Sequence, residues 1–338
     1  MAVLIITKSN DNECISSVVS AIEARGGKAF RLDTDLFPTE VRATARYDDV
    51  EQLTLTSHQG ELKLCEVTAV WYRRTRFGGG LPERMDHQLR QASVGEIQAT
   101  VHGLIASLDA FQMDPWAIFR HASNKQLQIQ VARAIGLDTP RTLITNDPQS
   151  VRDFAAHCQG GIVTKMLSSF AILDEAGAEK VVFTTPVKPD DLDDLDGLRY
   201  CPMTFQEHLS KERELRVTIV GNQIFTAAIN PNVLPRSQDD WRREGEALVD
   251  QWERYELPND VAGRLLRLMD QFDLNYGAVD LIVTPEGRHV FLEVNPVGEY
   301  FWLDRYPGLP ISEAIADLLL DRLPRRARSA IRKMATLG

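Results

Sequence analysis

Apolar positions along this chain follow two rhythms, strand-like and helix-like. Val3 to Thr7 is a continuous apolar run, the pattern of a strand buried on both faces. The polar break Ser9-Asn10-Asp11-Asn12 can cap a helix over Cys14 to Ala24, which Gly26-Gly27 ends, and Lys28 to Leu32 is a second strand. No Gly-x-Gly-x-x-Gly follows the first strand of this β-α-β start, which speaks against a dinucleotide site. Arg46 to Cys65 alternates as strands. Val67 to Tyr72 leads into Arg73-Arg74-Thr75-Arg76 and Gly78-Gly79-Gly80, which can bind an anion or peptide carboxylate, or form a solvated loop. His87 to Leu108 sets Leu89, Val94, Ile97, Val101, Leu104 and Ile105 on one helical face. Asp114-Pro115 then breaks the chain, placing a first boundary near residue 112.

Beyond it, Asn124 to Ile135 reads as a helix stopped by Gly136, Arg141 to Thr145 as a strand and Gln149 to Cys158 as a helix. Gly161 to Met166 and Val181 to Thr185 read as strands joined by the small-residue loop Ser168 to Ala178. Asp190 to Asp196 is a solvated linker or helix start. Met203 to Gln206 and Glu214 to Val220 are strands, and Gln223 to Ile229 pairs with the latter across Gly221-Asn222. Asp240 to Trp252 and Asn259 to Phe272 read as helices. Ser312 is expected to cap a helix to Leu323, before a frayed basic end carrying Arg325, Arg326, Arg328, Arg332 and Lys333.

With 338 residues, 43% hydrophobic and 25% charged, the chain can fill more than one packed unit. A net charge of −10 argues against a nucleic-acid binder. Cys14, Cys65, Cys158 and Cys201 have no paired spacing, which fits reduced thiols buried as small apolar residues in a cytoplasmic protein. The opening apolar run is too short for a signal peptide, and no stretch approaches a membrane span.

The most informative chemistry sits near the end. Apolar runs Ala278 to Thr284 and His289 to Val294 flank Pro285-Glu286-Gly287-Arg288, a hairpin turn. A turn centred on Glu286-Gly287 puts Asp280 opposite Glu293, and Asn295 on the same face. Two carboxylates and an amide oxygen there suit Mg²⁺, the alternative being a solvated acidic face. Lys165 interrupts an apolar strand, and Lys125 follows a helix start at Ser123-Asn124; both can meet phosphate. Thr204-Phe-Gln206-Glu207-His208-Leu209 can seat a purine in an apolar slot as the strand leaves its sheet. Glu214 and Arg216 share one strand face, a carboxylate for ribose hydroxyls and a fork for phosphate.

The order Lys125, Lys165, Gln206-Glu207, Glu214-Leu-Arg216, Asp280, Glu293-Val-Asn295 resembles the ATP-grasp carboxylate ligases over roughly residues 112 to 322. Longer stretches are similar to the microviridin-type graspetide macrocyclases. They include Leu-Ile-Ile-Thr-Lys-Ser-Asn-Asp-Asn-Glu near the start, Phe30-Arg-Leu-Asp-Thr-Asp-Leu-Phe-Pro-Thr-Glu, Val70-Trp-Tyr-Arg-Arg and Lys125-Gln-Leu-Gln. They also include Gly161-Ile-Val-Thr-Lys-Met-Leu-Ser, Cys201-Pro-Met-Thr-Phe-Gln-Glu and Glu293-Val-Asn-Pro-Val-Gly-Glu.

The resemblance implies an α/β (α+β) ATP-grasp fold with a Rossmann-like N-terminal pre-ATP-grasp domain at 1–112. Central and C-terminal lobes would span 113–200 and 201–325, before a basic tail at 326–338. It implies ATP and Mg²⁺ as cofactors, a ribosomal precursor peptide (leader plus core) as partner, a homodimer, and rings of ω-ester or ω-amide type. In the family's terms Lys125, Lys165, Gln206, Glu207, His208, Leu209 and Glu214 hold nucleotide. Asp280, Glu293 and Asn295 hold metal, and Arg216 is catalytic. Arg73, Arg74, Arg213 and Arg236 are substrate candidates, with Asp239 beside the last. The phosphate-covering loop Ser168-Ser169-Phe170-Ala171 lacks the glycines of the wider pattern. Two other readings share these residues: a ligase adding a free amino acid to a peptide carboxylate, and a non-catalytic nucleotide-binding scaffold.

Overall fold

The computed structural model describes residues 1–49, 51–167, 171–173, 179–181, 184–231 and 248–326. Ser168 to Phe170, Arg236, Asp239, most of the helix expected from Asp240, and Arg328, Arg332 and Lys333 lie outside the described residues.

The chain opens with β1 (Ala2–Thr7), α1 (Cys14–Ala24) and β2 (Lys28–Asp33). An antiparallel meander follows: β3 (Arg42–Tyr47), β4 (Glu51–Ser57) and β5 (Gly60–Lys63). Next come β6 (Val67–Tyr72), α2 (His87–Ala106) and β7 (Phe111–Met113). Strands β2-β1-β6-β7 make a parallel sheet, and β1 runs buried along its length after Ala2, as its unbroken apolar run requires.

Two helices lead on, α3 (Trp116–Ala122) and α4 (Lys125–Ala134), then β8 (Thr142–Thr145), α5 (Pro148–His157) and β9 (Ile162–Lys165). The Asn124 side chain accepts from Leu127 N at 3.1 Å, so α4 starts with Lys125 in its first turn. The expected Ser168 to Ala178 loop carries a short strand, β10 (Ala171–Leu173), which pairs antiparallel with β11 (Glu179–Val181) just beyond it. After β12 (Thr185–Pro186) the aspartate-rich segment winds into 3₁₀ turns at Pro189–Leu192 and Asp196–Arg199, and β13 (Met203–Glu207) completes the sheet β12-β9-β13-β8.

The last sheet is antiparallel, ordered β16-β15-β14-β17-β18. It is built from β14 (Arg213–Val220), β15 (Gln223–Ile229), β16 (Glu253–Arg254), β17 (Tyr276–Val283) and β18 (His289–Asn295). Helix α6 (Asn259–Gln271) buries Val261, Leu265, Leu268 and Met269 at helical spacing against it. Two helices close the described chain, α7 (Phe301–Arg305) and α8 (Ile311–Leu319).

One apolar core joins Val3, Ile5 and Trp71 of the first sheet, Ile15 and Val18 of α1, Tyr276 and Tyr300, and Ile315 and Leu319 of α8. The N-terminal unit is therefore packed onto the last sheet. Asp114 adds a buried polar clasp, its Oδ2 accepting from Asn275 N and Tyr276 N at 3.0 Å each.

Three expectations need correction. Ser312 does not cap α8; the Asp304 carboxylate accepts from Ile311 N at 2.9 Å and Ser312 N at 3.2 Å, and the Ser312 hydroxyl donates to it as well. Arg326 is not frayed, because its guanidinium donates to the Gly221 carbonyl at 2.9 Å and Asp270 at 2.6 Å, while Arg325 stacks 4.0 Å from the Phe111 ring centroid. Of the cysteines, Cys14 and Cys158 are buried but Cys65 and Cys201 are exposed. Burial pushes the Cys14 thiol up to about 11, against the opposing pull of Arg73, and burial also raises Cys158. A thiol reagent at pH 8 is therefore expected to label Cys65 and Cys201 quickly in the native chain, and all four only after unfolding. Fast native labelling of Cys14 by peptide mapping contradicts the packing of α1.

Candidate active site

Register across the last sheet builds the centre of the site. Arg216 on β14 faces Asp280 on β17, and Asp280 faces Glu293 on β18, so three charged side chains form a row across three strands. Next to that row, Ala278 faces Asn295. The hairpin reaches this pairing by an unexpected route. Thr284 N donates to the Arg288 carbonyl at 3.0 Å and Gly287 adopts φ 81°, so the turn is a three-residue loop rather than one centred on Glu286-Gly287. Regular pairing from there (Val283 with His289, Leu281 with Phe291) would set Asp280 opposite Leu292. A bulge between Asp280 and Leu281 advances the register by one, turning Glu293 and Asn295 onto the face of Asp280.

The contacts are tight. Arg216 Nη1 lies 2.5 Å from Asp280 Oδ1, its Nη2 donates to the Glu299 carbonyl at 2.9 Å, and its guanidinium carbon is 5.6 Å from the Trp302 ring centroid. Asn295 Nδ2 donates to Glu293 Oε1 at 2.8 Å and lies 3.5 Å from Asp280 Oδ2. Lys125 Nζ sits 3.0 Å from both Glu293 Oε2 and Asn295 Oδ1. Burial opposes ionisation of Glu293, but the Lys125 and Lys165 charges and the Asn295 amide outweigh it and hold the carboxyl well below the usual range.

A carboxylate pair with a neighbouring amide is a hard oxygen donor set and fits Mg²⁺; as placed, Asn295 Nδ2 faces the two carboxylates and its oxygen accepts from Lys125 Nζ, so that oxygen joins the set only when Lys125 turns to phosphate. Among the described residues no group of three or more His, Cys, Asp or Glu could hold a metal, so this pair leaves the remaining positions to water and phosphate oxygens.

The row opens into a cleft of about 820 Å³ between the last sheet and the sheet of β9 and β13. All the nucleotide candidates line it: Lys125, Lys165, Gln206, Glu207, His208, Leu209 and Glu214, with Arg216, Asp280, Glu293 and Asn295. Some of their side chains serve the wall itself. Gln206 Nε2 donates to Thr142 Oγ1 at 2.9 Å, and Glu207 Oε1 accepts from Arg141 N at 2.8 Å, so these two side chains are engaged within the wall. Lys211, which sequence reasoning passed over, lies 2.8 Å from Glu214 Oε1. Glu299 and Trp302 were also missed, although Glu299 ends the quoted Glu293-Val-Asn-Pro-Val-Gly-Glu stretch.

The substrate arginines separate. Arg74 lines the cleft and pairs with Glu299. Arg73 is 2% exposed; its guanidinium donates to the Val297 carbonyl at 2.7 Å and contacts Cys14 Sγ, so it braces the strand exit and is closed to a peptide. Arg213 belongs to the other face of β14 from Arg216, as alternation demands, and pairs with Glu253. Gly298 is held by Arg73 and by the Tyr276 hydroxyl at 2.7 Å. A methyl there would meet Ala278 Cβ at 2.4 Å and Asn295 Cβ at 3.2 Å. Gly298→Ala is expected to cost about 1–3 kcal/mol of stability and to slow nucleotide turnover by displacing Asn295; an unchanged melt with unchanged turnover contradicts this.

Residues 2–120 match the MvdD pre-ATP grasp domain model. The structure is similar to the crystal structure of macrocyclase MdnC bound with precursor peptide MdnA from Microcystis aeruginosa, with 52% identity, 95% of this chain and 100% of that one covered, and a TM-score of 0.87. It is similar to a RiPP-associated ATP-grasp ligase of Chryseobacterium gregarium in complex with ADP and a leader and core peptide (37% identity, 97% and 98% covered, TM-score 0.92). Macrocyclase MdnB of Microcystis aeruginosa is 38% identical, with 94% and 99% covered and a TM-score of 0.79. Comparison with curated proteins found no match. With these identities spanning nearly every residue of the macrocyclases it resembles, the chain belongs to the microviridin-type graspetide macrocyclases of the ATP-grasp ligase fold.

Proposed function

We propose that this chain uses ATP to activate an Asp or Glu side chain of a ribosomally made precursor peptide and closes it into an ω-ester or ω-amide ring. The observation that carries the reading is the Arg216–Asp280–Glu293 row, with Lys125 on its far end and Lys165 in the facing wall of one cleft. The precursor bound to MdnC and the ADP and leader and core peptide bound to the Chryseobacterium ligase support it.

Lys125 and Lys165 would take phosphate oxygens, the Gln206 to Leu209 linker the adenine, and Glu214 the ribose. A Mg²⁺ ion bound by Asp280, Glu293 and Asn295 would neutralise charge on the transferring phosphoryl group. The peptide carboxylate attacks the γ-phosphorus and ADP leaves, giving an acyl phosphate. Arg216 stabilises the charge of that transfer. A Ser or Thr hydroxyl, or a Lys amine, of the same peptide then attacks the acyl carbon, loses its proton and expels phosphate. Arg74, which lines the cleft beside Glu299, would receive the peptide carboxylate before transfer. Among the described residues no helix is long and apolar enough to cross a membrane. The reading makes the chain a cytoplasmic homodimer, for which light scattering is expected to return twice the 38.0 kDa of one chain.

Incubation with a precursor peptide, ATP and Mg²⁺ is expected to remove one water from the peptide per ring, by mass spectrometry, with one ADP formed each time. Base opens esters and spares amides. An unchanged peptide mass sinks the macrocyclase reading, and a mass gain dependent on a free amino acid favours the ligase that adds one.

A further inference from the structure

We infer that Gln128 is a positioning residue that sets the metal-binding face of β18. The inference rests on the reading of Asp280, Glu293 and Asn295 as metal ligands. Strand β18 ends its sheet, so one edge pairs with β17 and the other faces α4. Val294, the residue between Glu293 and Asn295, directs its backbone groups to that outer edge. Gln128 takes both: its Oε1 accepts from Val294 N at 3.0 Å and its Nε2 donates to the Val294 carbonyl at 2.8 Å. One primary amide thus does for Val294 what a neighbouring strand would do. The same Nε2 donates to the Ala122 carbonyl, which ends α3, at 2.6 Å. Gln128 is 1% exposed, so these bonds are shielded from solvent.

The placement has a consequence at the site. Glu293 and Asn295 flank the clamped residue, and their side chains point to Asp280 while the Val294 side chain is fully buried on the opposite face. Lys125 lies one helical turn before Gln128 on α4, and its Nζ reaches the same Val294 carbonyl at 3.3 Å. Gln128 therefore fixes the distance between the Lys125 ammonium and the Glu293 carboxylate, and the angle at which the bulged strand offers its ligands. A leucine there fills similar volume but leaves the Val294 N–H and carbonyl without these partners.

The test titrates Mn²⁺ into the full chain with saturating ADP, followed by electron paramagnetic resonance. Gln128→Leu is expected to weaken Mn²⁺ binding about tenfold relative to wild type, the scale typical of groups that orient metal ligands. Val131→Ala, which removes packing from the same helix, is expected to lower the melting temperature and leave Mn²⁺ affinity unchanged. If Gln128→Leu shows no cooperative melt, Gln128→Met, unbranched and of similar length, carries the same expectation. Wild-type affinity in the folded Gln128 variant, or an equal loss in Val131→Ala, overturns the inference. Failure of wild type itself to bind Mn²⁺ with ADP overturns the metal reading first, and the inference with it.

Discussion

Asp280→Asn is expected to lower ADP release roughly 10³-fold while leaving the fold and precursor binding in place. Asp280 is the middle of the row, facing Arg216 on one strand and Glu293 on the other. The amide keeps its shape and can still accept from Arg216 Nη1, now 2.5 Å from Oδ1; its NH₂ replaces Oδ2, so only the long 3.5 Å contact from Asn295 Nδ2 is lost. What goes is a negative charge. With it removed, the donor set retains one carboxylate, and a hard cation loses about half of its charge partner at the point where the phosphoryl group transfers. Stability should change little, because lost attraction to Arg216 is offset by lost repulsion from Glu293. The measurements are a coupled ADP assay, a thermal melt and anisotropy of a labelled precursor. Turnover above a tenth of wild type, with the melt unchanged, removes Asp280 from the proposed metal set.

The row was half legible in the sequence. Alternation placed Glu214 with Arg216 and Glu293 with Asn295, because a strand leaves no other choice. The pairing of Asp280 with Glu293 was read from a two-residue turn that the chain does not form; the three-residue loop and the bulge shift the register in compensating ways. A bulge has no residue code of its own, since Leu292 looks like any strand leucine. Arg216 facing Asp280 could not be read, because β15, β16 and α6 lie between β14 and β17 in sequence and the register of the two strands is set by the shared core. Arg73 shows the other limit. An arginine beside glycines reads as exposed, yet acceptors from the Val297-Gly298 turn and Cys14, far apart in sequence, close over it. Lys125 lay between these cases: the Asn124 cap fixed its place in α4, but its partner Glu293 comes from tertiary packing.

Arg216→Lys is expected to lower kcat about 10²-fold with little change in KM for ATP. A lysine keeps the charge, so a purely electrostatic role for Arg216 in holding ATP would survive the change. The guanidinium does more than carry charge. Its Nη1 meets Asp280, its Nη2 and Nε both meet the Glu299 carbonyl at 2.9 and 3.3 Å, and its face lies against Trp302. That arrangement fixes the fork before any nucleotide arrives, which is what stabilising a charge that develops only during transfer requires. An ammonium can satisfy either Asp280 or the carbonyl, and it will settle on the carboxylate, away from the transferring group. The two constants therefore separate the roles. A fall in kcat alone, in a variant that melts like wild type, marks an interaction made in the transition state. A rise in KM at unchanged kcat would instead make Arg216 a ground-state ligand of ATP and leave phosphoryl transfer to the lysines and the metal.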